Sequence, residues 1–230
     1  PENTLVMVGM LDGTGLEQII TFDHTEHPPT LNGRQTVQDK LNRTTLLVAH
    51  NAAHDLMWLW ESGFTYNGEV FDTMLGEYVL QRGQKEPLSL EACAERHQLH
   101  TKKQDTLKEY FKQGLNVSEI PHDELSEYLS ADLHATQQLF RHQDKEYTFG
   151  KGKTLVDTIR LTNQLAVHLA RIYQRGFKVD LTVLEEVRKE FEQEKQELTV
   201  KLEEQVHELM GDRPINLNSP EQLSWIIYSR

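Results

Sequence analysis

Two short stretches carry the residues most able to do chemistry: His50-Asn51-Ala52-Ala53-His54-Asp55 and Tyr128-Leu129-Ser130-Ala131-Asp132. Each places an aspartate four residues after a polar partner, and residues four apart share one face of a helix. Tyr128 and Asp132 then point the same way, a phenol beside a carboxylate. Carboxylate oxygens suit hard divalent cations, Mg²⁺ or Mn²⁺, and a phenol can hold and orient a metal-bound water as it attacks a phosphodiester. Asp55 would bring a second carboxylate from across such a site. Two cations ~4 Å apart would stabilise the attacking and leaving oxygens of an in-line displacement. Taken singly, each piece is ordinary: Tyr-x-x-x-Asp is common on surface helices, Asn51 suits a helix N-cap, and a lone Asp55 would be solvated. Their order and setting carry the argument.

Those settings follow from the surrounding pattern. Leu5-Val6-Met7-Val8 and Gln18-Ile19-Ile20-Thr21-Phe22 flank the turn-forming Leu11-Asp12-Gly13-Thr14-Gly15, which predicts an antiparallel hairpin. Residues 37–41 suit a short helix, and Thr45-Leu46-Leu47-Val48-Ala49 is a compact apolar run of buried-strand type. Asn51 is placed to cap a helix bearing Leu56, Leu59 and Trp60, with Gly63 to end it. Phe71-Asp72-Thr73-Met74-Leu75 leads into another helix, Ser89 caps a further one, and the acids after Pro121 favour a helix start upstream of Tyr128. Strands first and helices after indicate a mixed sheet covered by helices. Phe149-Gly150-Lys151-Gly152-Lys153 breaks the pattern as a hinge, lacking P-loop spacing. A helix with Leu161, Leu165, Leu169 and Ile172 follows, then Arg175-Gly176, a long helix halted by Gly211, and a last helix after Asn218-Ser219-Pro220.

At 230 residues the chain allows one large domain, or one domain and part of another. Its 37% hydrophobic and 26% charged content is that of a globular protein rather than a disordered one. No apolar run nears the ~20 residues of a membrane span, and a single cysteine, Cys93, excludes an internal disulfide framework. A cytoplasmic location with no membrane contact is the expectation. The net charge of -12 argues against a protein that coats duplex DNA. A carboxylate cluster neutralised by divalent cations is compatible with that acidity.

The chain resembles the 3′–5′ proofreading exonuclease domain of family A DNA polymerases, the DNA polymerase I type of bacteria and bacteriophages. Residues 50–55 resemble its second exonuclease motif, residues 128–132 its third in the tyrosine-bearing form, and residues 71–75 the stretch between them. The resemblance implies a ribonuclease H-like α/β fold and a Mg²⁺ or Mn²⁺ pair held by Asp55 and Asp132. It implies that Tyr128 orients the water, that Asn51 supports the substrate end and that Asp72 has a structural role. Arg175-Gly176-Phe177-Lys178-Val179-Asp180 and Asn216-Leu217-Asn218-Ser219-Pro220-Glu221-Gln222-Leu223 resemble the entry to the polymerase thumb. The implied organisation is an exonuclease domain over residues 1–148 and the start of a polymerase domain over 149–230. The implied partners are the single-stranded 3′ end of DNA and primer-template, with any processivity factor unspecified.

The sequence departs from the family pattern at the first motif, and it carries no polymerase active-site residue of the palm or fingers. The first motif, an Asp-x-Glu on an opening strand, is absent; Asp12 falls in the hairpin turn without a Glu two residues on, and Glu17 does not replace it. Without that strand, the strands at residues 5–8 and 46–49 are expected to lack a shared partner, leaving this chain alone inactive and poorly folded. Two other readings use the same residues: a ribonuclease D-type exoribonuclease, and a catalytically incomplete module that binds nucleic acid or anchors a partner.

Overall fold

The computed structural model describes residues 4–99, 105–211, 215–216 and 218–228. Leu217, part of the thumb-like segment, lies outside them. Strands β1 (Met7–Leu11) and β2 (Glu17–Thr21) form the expected antiparallel hairpin, running from Met7 opposite Thr21 to Leu11 opposite Glu17. The Asp12 carboxylate fastens the turn by accepting from Thr14 N, Thr14 Oγ1 and Leu16 N. The second ladder is parallel, β3 (Leu46–Ala49) beside β4 (Glu69–Asp72), with Ala49 opposite Asp72. Between them run α1 (Gly33–Arg43) and α2 (Ala52–Glu61), and Gly63 ends α2 with φ +83. Among the described residues the ladders remain two separate two-stranded sheets rather than one mixed sheet. Thus β1 and β3 each pair on one side only.

Period-two alternation explains how both ladders join one layer. Val8 and Met10 of β1, Ile20 of β2, Leu47 of β3 and Val70 of β4 pack into one core with Val37 and Leu41 of α1 and Leu56 of α2. Met7, Gly9 and Phe71 lie on the opposite face. There the strands meet α6 (His122–Thr148), a 27-residue helix. Gly9 marks the closest approach, since a Cβ at that position would stand 2.8 Å from both Leu129 Cγ and Leu133 Cδ1. Phe71 packs edge-on against Phe140 and Tyr147 further along the same helix. Helices on both faces of short strands make an α/β arrangement.

Helices α3 (Thr73–Leu80), α4 (Leu90–Arg96) and α5 (Asp105–Lys112) complete the surroundings of α6. Ser89 caps α4 as its sequence indicates, accepting from Ala92 N at 3.2 Å. The segment expected to act as a hinge is instead packed down. Residues Lys151–Leu155 form a 3₁₀ turn, buried Gly152 lies against Leu80 and Tyr147, and Arg82 Nη2 donates to the Lys151 carbonyl at 2.6 Å. Lacking a side chain at residue 152, the turn lies flat on α3 and α6. Helix α7 (Val156–Arg175) continues from it and packs against α2 and α3. The chain therefore divides into compact units at Pro1–Gly176 and Phe177–Arg230, and the boundary expected at 148/149 lies inside the first. In the second unit, Asp180 caps the 30-residue α8 (Leu181–Met210) through Thr182 N and Val183 N, Gly211 ends it with φ +68, and α9 (Pro220–Tyr228) follows.

A buried ionic cluster ties α3, α4 and α6 together. Glu77, only 2% exposed, accepts from Arg96 Nη1 at 2.8 Å, from His97 Nε2 at 3.0 Å and from Gln143 Nε2 at 3.2 Å. Burial is the largest influence on its carboxyl and pushes upward, yet the donors from His97, Arg96 and Gln143 together hold it below the ordinary value of 4.5. A depressed carboxyl contributes stability that is present above its unfolded value and lost as pH falls through the folded one. Glu77→Gln is expected to destabilise the fold by about 3 kcal/mol at neutral pH, because Arg96 loses its counter-charge and His97 Nε2 its carboxylate partner. Urea unfolding measured from pH 7 down to pH 3 checks it: the parent should lose stability below about pH 4.5, and the variant should lose less across that range.

Candidate active site

The first site residue stands where β3 passes into α2. Asn51 occupies the N-cap position with φ 68 and ψ 50, a left-handed backbone that asparagine tolerates better than most residues. Its side chain does not cap the helix, contrary to the sequence expectation. Asp72 does so from the end of β4, its carboxylate accepting from Asn51 N at 3.0 Å and Ala52 N at 2.9 Å. The parallel register explains this, because Ala49 opposite Asp72 sets the ends of the two strands side by side. The same carboxylate accepts from Met74 N at 2.9 Å and Leu75 N at 3.4 Å, capping α3 as well. One buried anion thus serves the N-termini of two helices, where their dipoles favour negative charge.

His50 locks the same corner. Its Nε2 donates to the Leu88 carbonyl at 2.8 Å, and its Nδ1 meets Thr73 Oγ1 at 2.9 Å. Burial lowers its pKa, outweighing the Leu88 hydrogen bond and the Asp72 and Glu77 charges that push it up. With α2 so anchored, Asp55 emerges from its first turn. Asp55 is exposed by area, yet burial pushes its carboxyl up to about 7, with the like charge of Asp72 the second cause. These two observations pull in opposite directions, since water that reaches a carboxylate supports its charge. The upward direction stands, and solvent trims its size.

The other half of the site rides on α6. Leu129 and Leu133 face Gly9 of β1, so at about 100° per residue Tyr128 and Asp132 lie on one flank of that contact and Ser130 and His134 on the other. Glu17 of β2 marks the second flank, accepting from Ser130 Oγ at 2.8 Å and pairing with His134 Nε2 at 3.0 Å. Tyr128 and Asp132 are therefore turned toward the edge of β1 that β2 does not cover. Glu17, held on the opposite flank, is no substitute for a missing acid. Tyr128 packs against the buried cluster of Leu107, Ile120 and Leu125, and its hydroxyl hydrogen-bonds the Asp132 carboxyl. Burial pushes the Asp132 carboxyl up, and the Tyr128 hydrogen bond draws it partway back.

Sequence reasoning singled out all four of these residues, and the structure joins Tyr128 to Asp132 directly. Asn51 and Asp55 belong together on the β3–α2 side. Among the described residues no group of three or more His, Cys, Asp or Glu side chains is gathered to hold a metal ion. Asp55 on α2 and Asp132 on α6 both have carboxyls pushed up, in each case chiefly by burial. Sequence reasoning missed the Glu17–Ser130–His134 clamp; its signal was a polar pair four apart on the helix, opposite the Tyr128–Asp132 pair. It also missed the reach of Asp72 across 20 residues to Ala52.

The fold is a helix-covered α/β domain, and comparison with known proteins supplies its family. Residues 15–147 match the family model of the 3′–5′ exonuclease of family A DNA polymerases. The chain belongs to this family. It is 28% identical over 171 residues to DNA polymerase I of Bacillus subtilis (strain 168), a match covering 74% of this chain and 18% of that protein. It is 31% identical over 139 residues to DNA polymerase I of Helicobacter pylori, covering 55% and 14% respectively. With DNA polymerase I of Synechocystis it shares 27% over 184 residues, 80% of this chain and 18% of the relative. The chain spans less than a fifth of the length of these relatives. No helix among the described residues is long and apolar enough to cross a membrane.

Substitutions at two positions separate backbone from side chain here. Asp72→Ala should cost about 3 kcal/mol or more, since two caps worth about 1 kcal/mol each are lost and buried N–H groups are left bare. Hydrogen exchange should rise first at Asn51, Ala52 and Met74. Asn51→Gly should leave stability within about 1 kcal/mol of the parent, because glycine adopts the left-handed backbone freely, whereas Asn51→Ala adds strain. Denaturant midpoints for the pair check the ranking.

Proposed function

We propose that this chain is the proofreading 3′–5′ exonuclease portion of a DNA polymerase and removes nucleotides from the primer 3′ end in replication or repair. The observation that carries this reading is the Tyr128–Asp132 hydrogen bond on the flank of α6 turned toward the uncovered edge of β1. Asp55 and Asp132 would hold Mg²⁺ or Mn²⁺, which when bound supplies positive charge for activating water and stabilising the leaving oxygen. Tyr128, positioned by its packing against the Leu107, Ile120 and Leu125 cluster, would hold the attacking water beside Asp132. Asn51, with its side chain released from capping, is free to donate to and accept from the terminal nucleotide. Names of the matched relatives favour DNA over RNA as the substrate. The unit Phe177–Arg230, opened by the 30-residue α8, would begin the thumb that grips primer-template.

In the parent polymerase, digestion of a single-stranded 3′ end should require Mg²⁺ or Mn²⁺ and stop on chelation. Asp132→Ala should lower the exonuclease rate by several orders of magnitude, because a ligand and its charge are both removed. Tyr128→Phe should cost less, since only the positioning of water suffers. Quench-flow digestion of a labelled oligonucleotide measures both, and equal losses would assign Tyr128 a different role.

A further inference from the structure

Net charge -12 makes any local excess of cations notable. One occurs where two loops of the first unit are fastened together. The loop after α3 carries Arg82 and Lys85, and the segment after α6 carries Lys151 and Lys153, with Lys145 in the last turn of α6. All five side chains are exposed, and among the described residues none forms an ion pair with a carboxylate. The Arg82 guanidinium bonds the Lys151 carbonyl at 2.6 Å, and Gly152 seats the turn on Leu80 and Tyr147, so the two loops move as one piece. Glu146 is engaged by Lys151 N at 3.2 Å, and Glu86 and Asp144 adjoin Lys85 and Lys145 in the sequence. Beside the lysines Phe149 stands 86% exposed, a bare aromatic among cations. That pairing of charge with an aromatic face is what a single nucleic acid strand uses, cations along its phosphates and a ring beneath a base.

We infer that the Arg82–Lys85 and Phe149–Lys153 loops form a second contact for single-stranded DNA, binding its sugar-phosphate backbone away from the reacting end. The inference rests on the exonuclease reading for its choice of polyanion. Thr148 lies sixteen residues beyond Asp132 on α6, about 24 Å at 1.5 Å per residue. A strand stacked at the duplex rise of ~3.4 Å would need about seven nucleotides to span it, and an extended strand fewer. Long strands would therefore reach the surface and very short ones would not. The lysines act here through their side chains, unlike a P-loop, whose backbone amides cradle phosphate.

The test uses the full 230-residue chain in a chelating buffer, with binding of labelled oligothymidylates of twenty and of four nucleotides followed by fluorescence anisotropy across a salt series. A K85E/K151E/K153E variant leaves the Arg82–Lys151 tie in place, and its circular dichroism reports folding. Binding of the long strand should weaken at least tenfold, with the slope of log affinity against log salt reduced by about 2, from three cations at ~0.7 each. Binding of the short strand should not change, and Phe149→Ala should weaken the long strand severalfold. Four outcomes would overturn the inference: no binding of the long strand by the parent chain, unchanged affinity and slope in the triple variant, an equal loss for the short strand, or displacement of DNA by polyglutamate as readily as by unlabelled DNA. Metal-dependent cleavage is measured separately, so a failure of the exonuclease reading is not mistaken for a failure of this surface.

Discussion

One carboxylate organises the β3–α2–α3 corner. Asp72 accepts from four backbone N–H groups, two at the start of α2 and two at the start of α3, from a position only 1% exposed. A buried anion is expensive unless its lone pairs are occupied, and here helix amides occupy them. The arrangement also costs Asn51 an ordinary backbone, since reaching Asp72 turns it left-handed. Asp55 then projects from a helix whose starting point cannot shift without breaking the α3 cap as well. The like charge that raises the Asp55 carboxyl comes from this same group, so anchoring and electrostatics at the site share a source.

Helix α6 is the other fixed reference. It meets β1 at Gly9, is clamped to β2 through Glu17, packs Phe140 and Tyr147 on Phe71, and sends Gln143 into the Glu77 cluster. The first two contacts fall within residues 129–134 on adjacent sides of the helix, and the last two within residues 140–147 on the face that also carries Leu129 and Leu133. Rotation about its axis is blocked by the first two, and tilting by the last two. Tyr128 and Asp132 inherit their direction from those constraints rather than from each other.

Local patterns were readable where short-range chemistry decides the outcome. Asp12-Gly13-Thr14 marked the hairpin turn, Ser89 a cap, and Gly63, Gly176 and Gly211 the helix ends, because each acts within a few residues. Asp72 was legible only as a supporting residue: its service to α3 follows from Asp-Thr-Met-Leu, but its service to α2 needs the β3–β4 register. Asn51 was misassigned as a side-chain cap for the same reason, since a better acceptor arrived from 21 residues away. Gly150 and Gly152 read as a hinge because glycine signals freedom locally, while the bulk of Leu80 and Tyr147 that exploits a missing side chain comes from distant sequence. The strand pattern was correct and the single sheet was not, because pairing partners are a property of the whole layer.

The gap at Gly9 has a consequence for how this protein can vary. The spacing between β1 and α6 is set by a side chain that is not there, with Leu129 and Leu133 filling the space. Position 9 is therefore not free to change alone: a methyl group would lift the helix and swing Tyr128 and Asp132 with it. Among related sequences, any residue larger than glycine at 9 should be accompanied by a smaller one at 129 or 133. The three positions form a single unit of inheritance, written in two parts of the chain 120 residues apart.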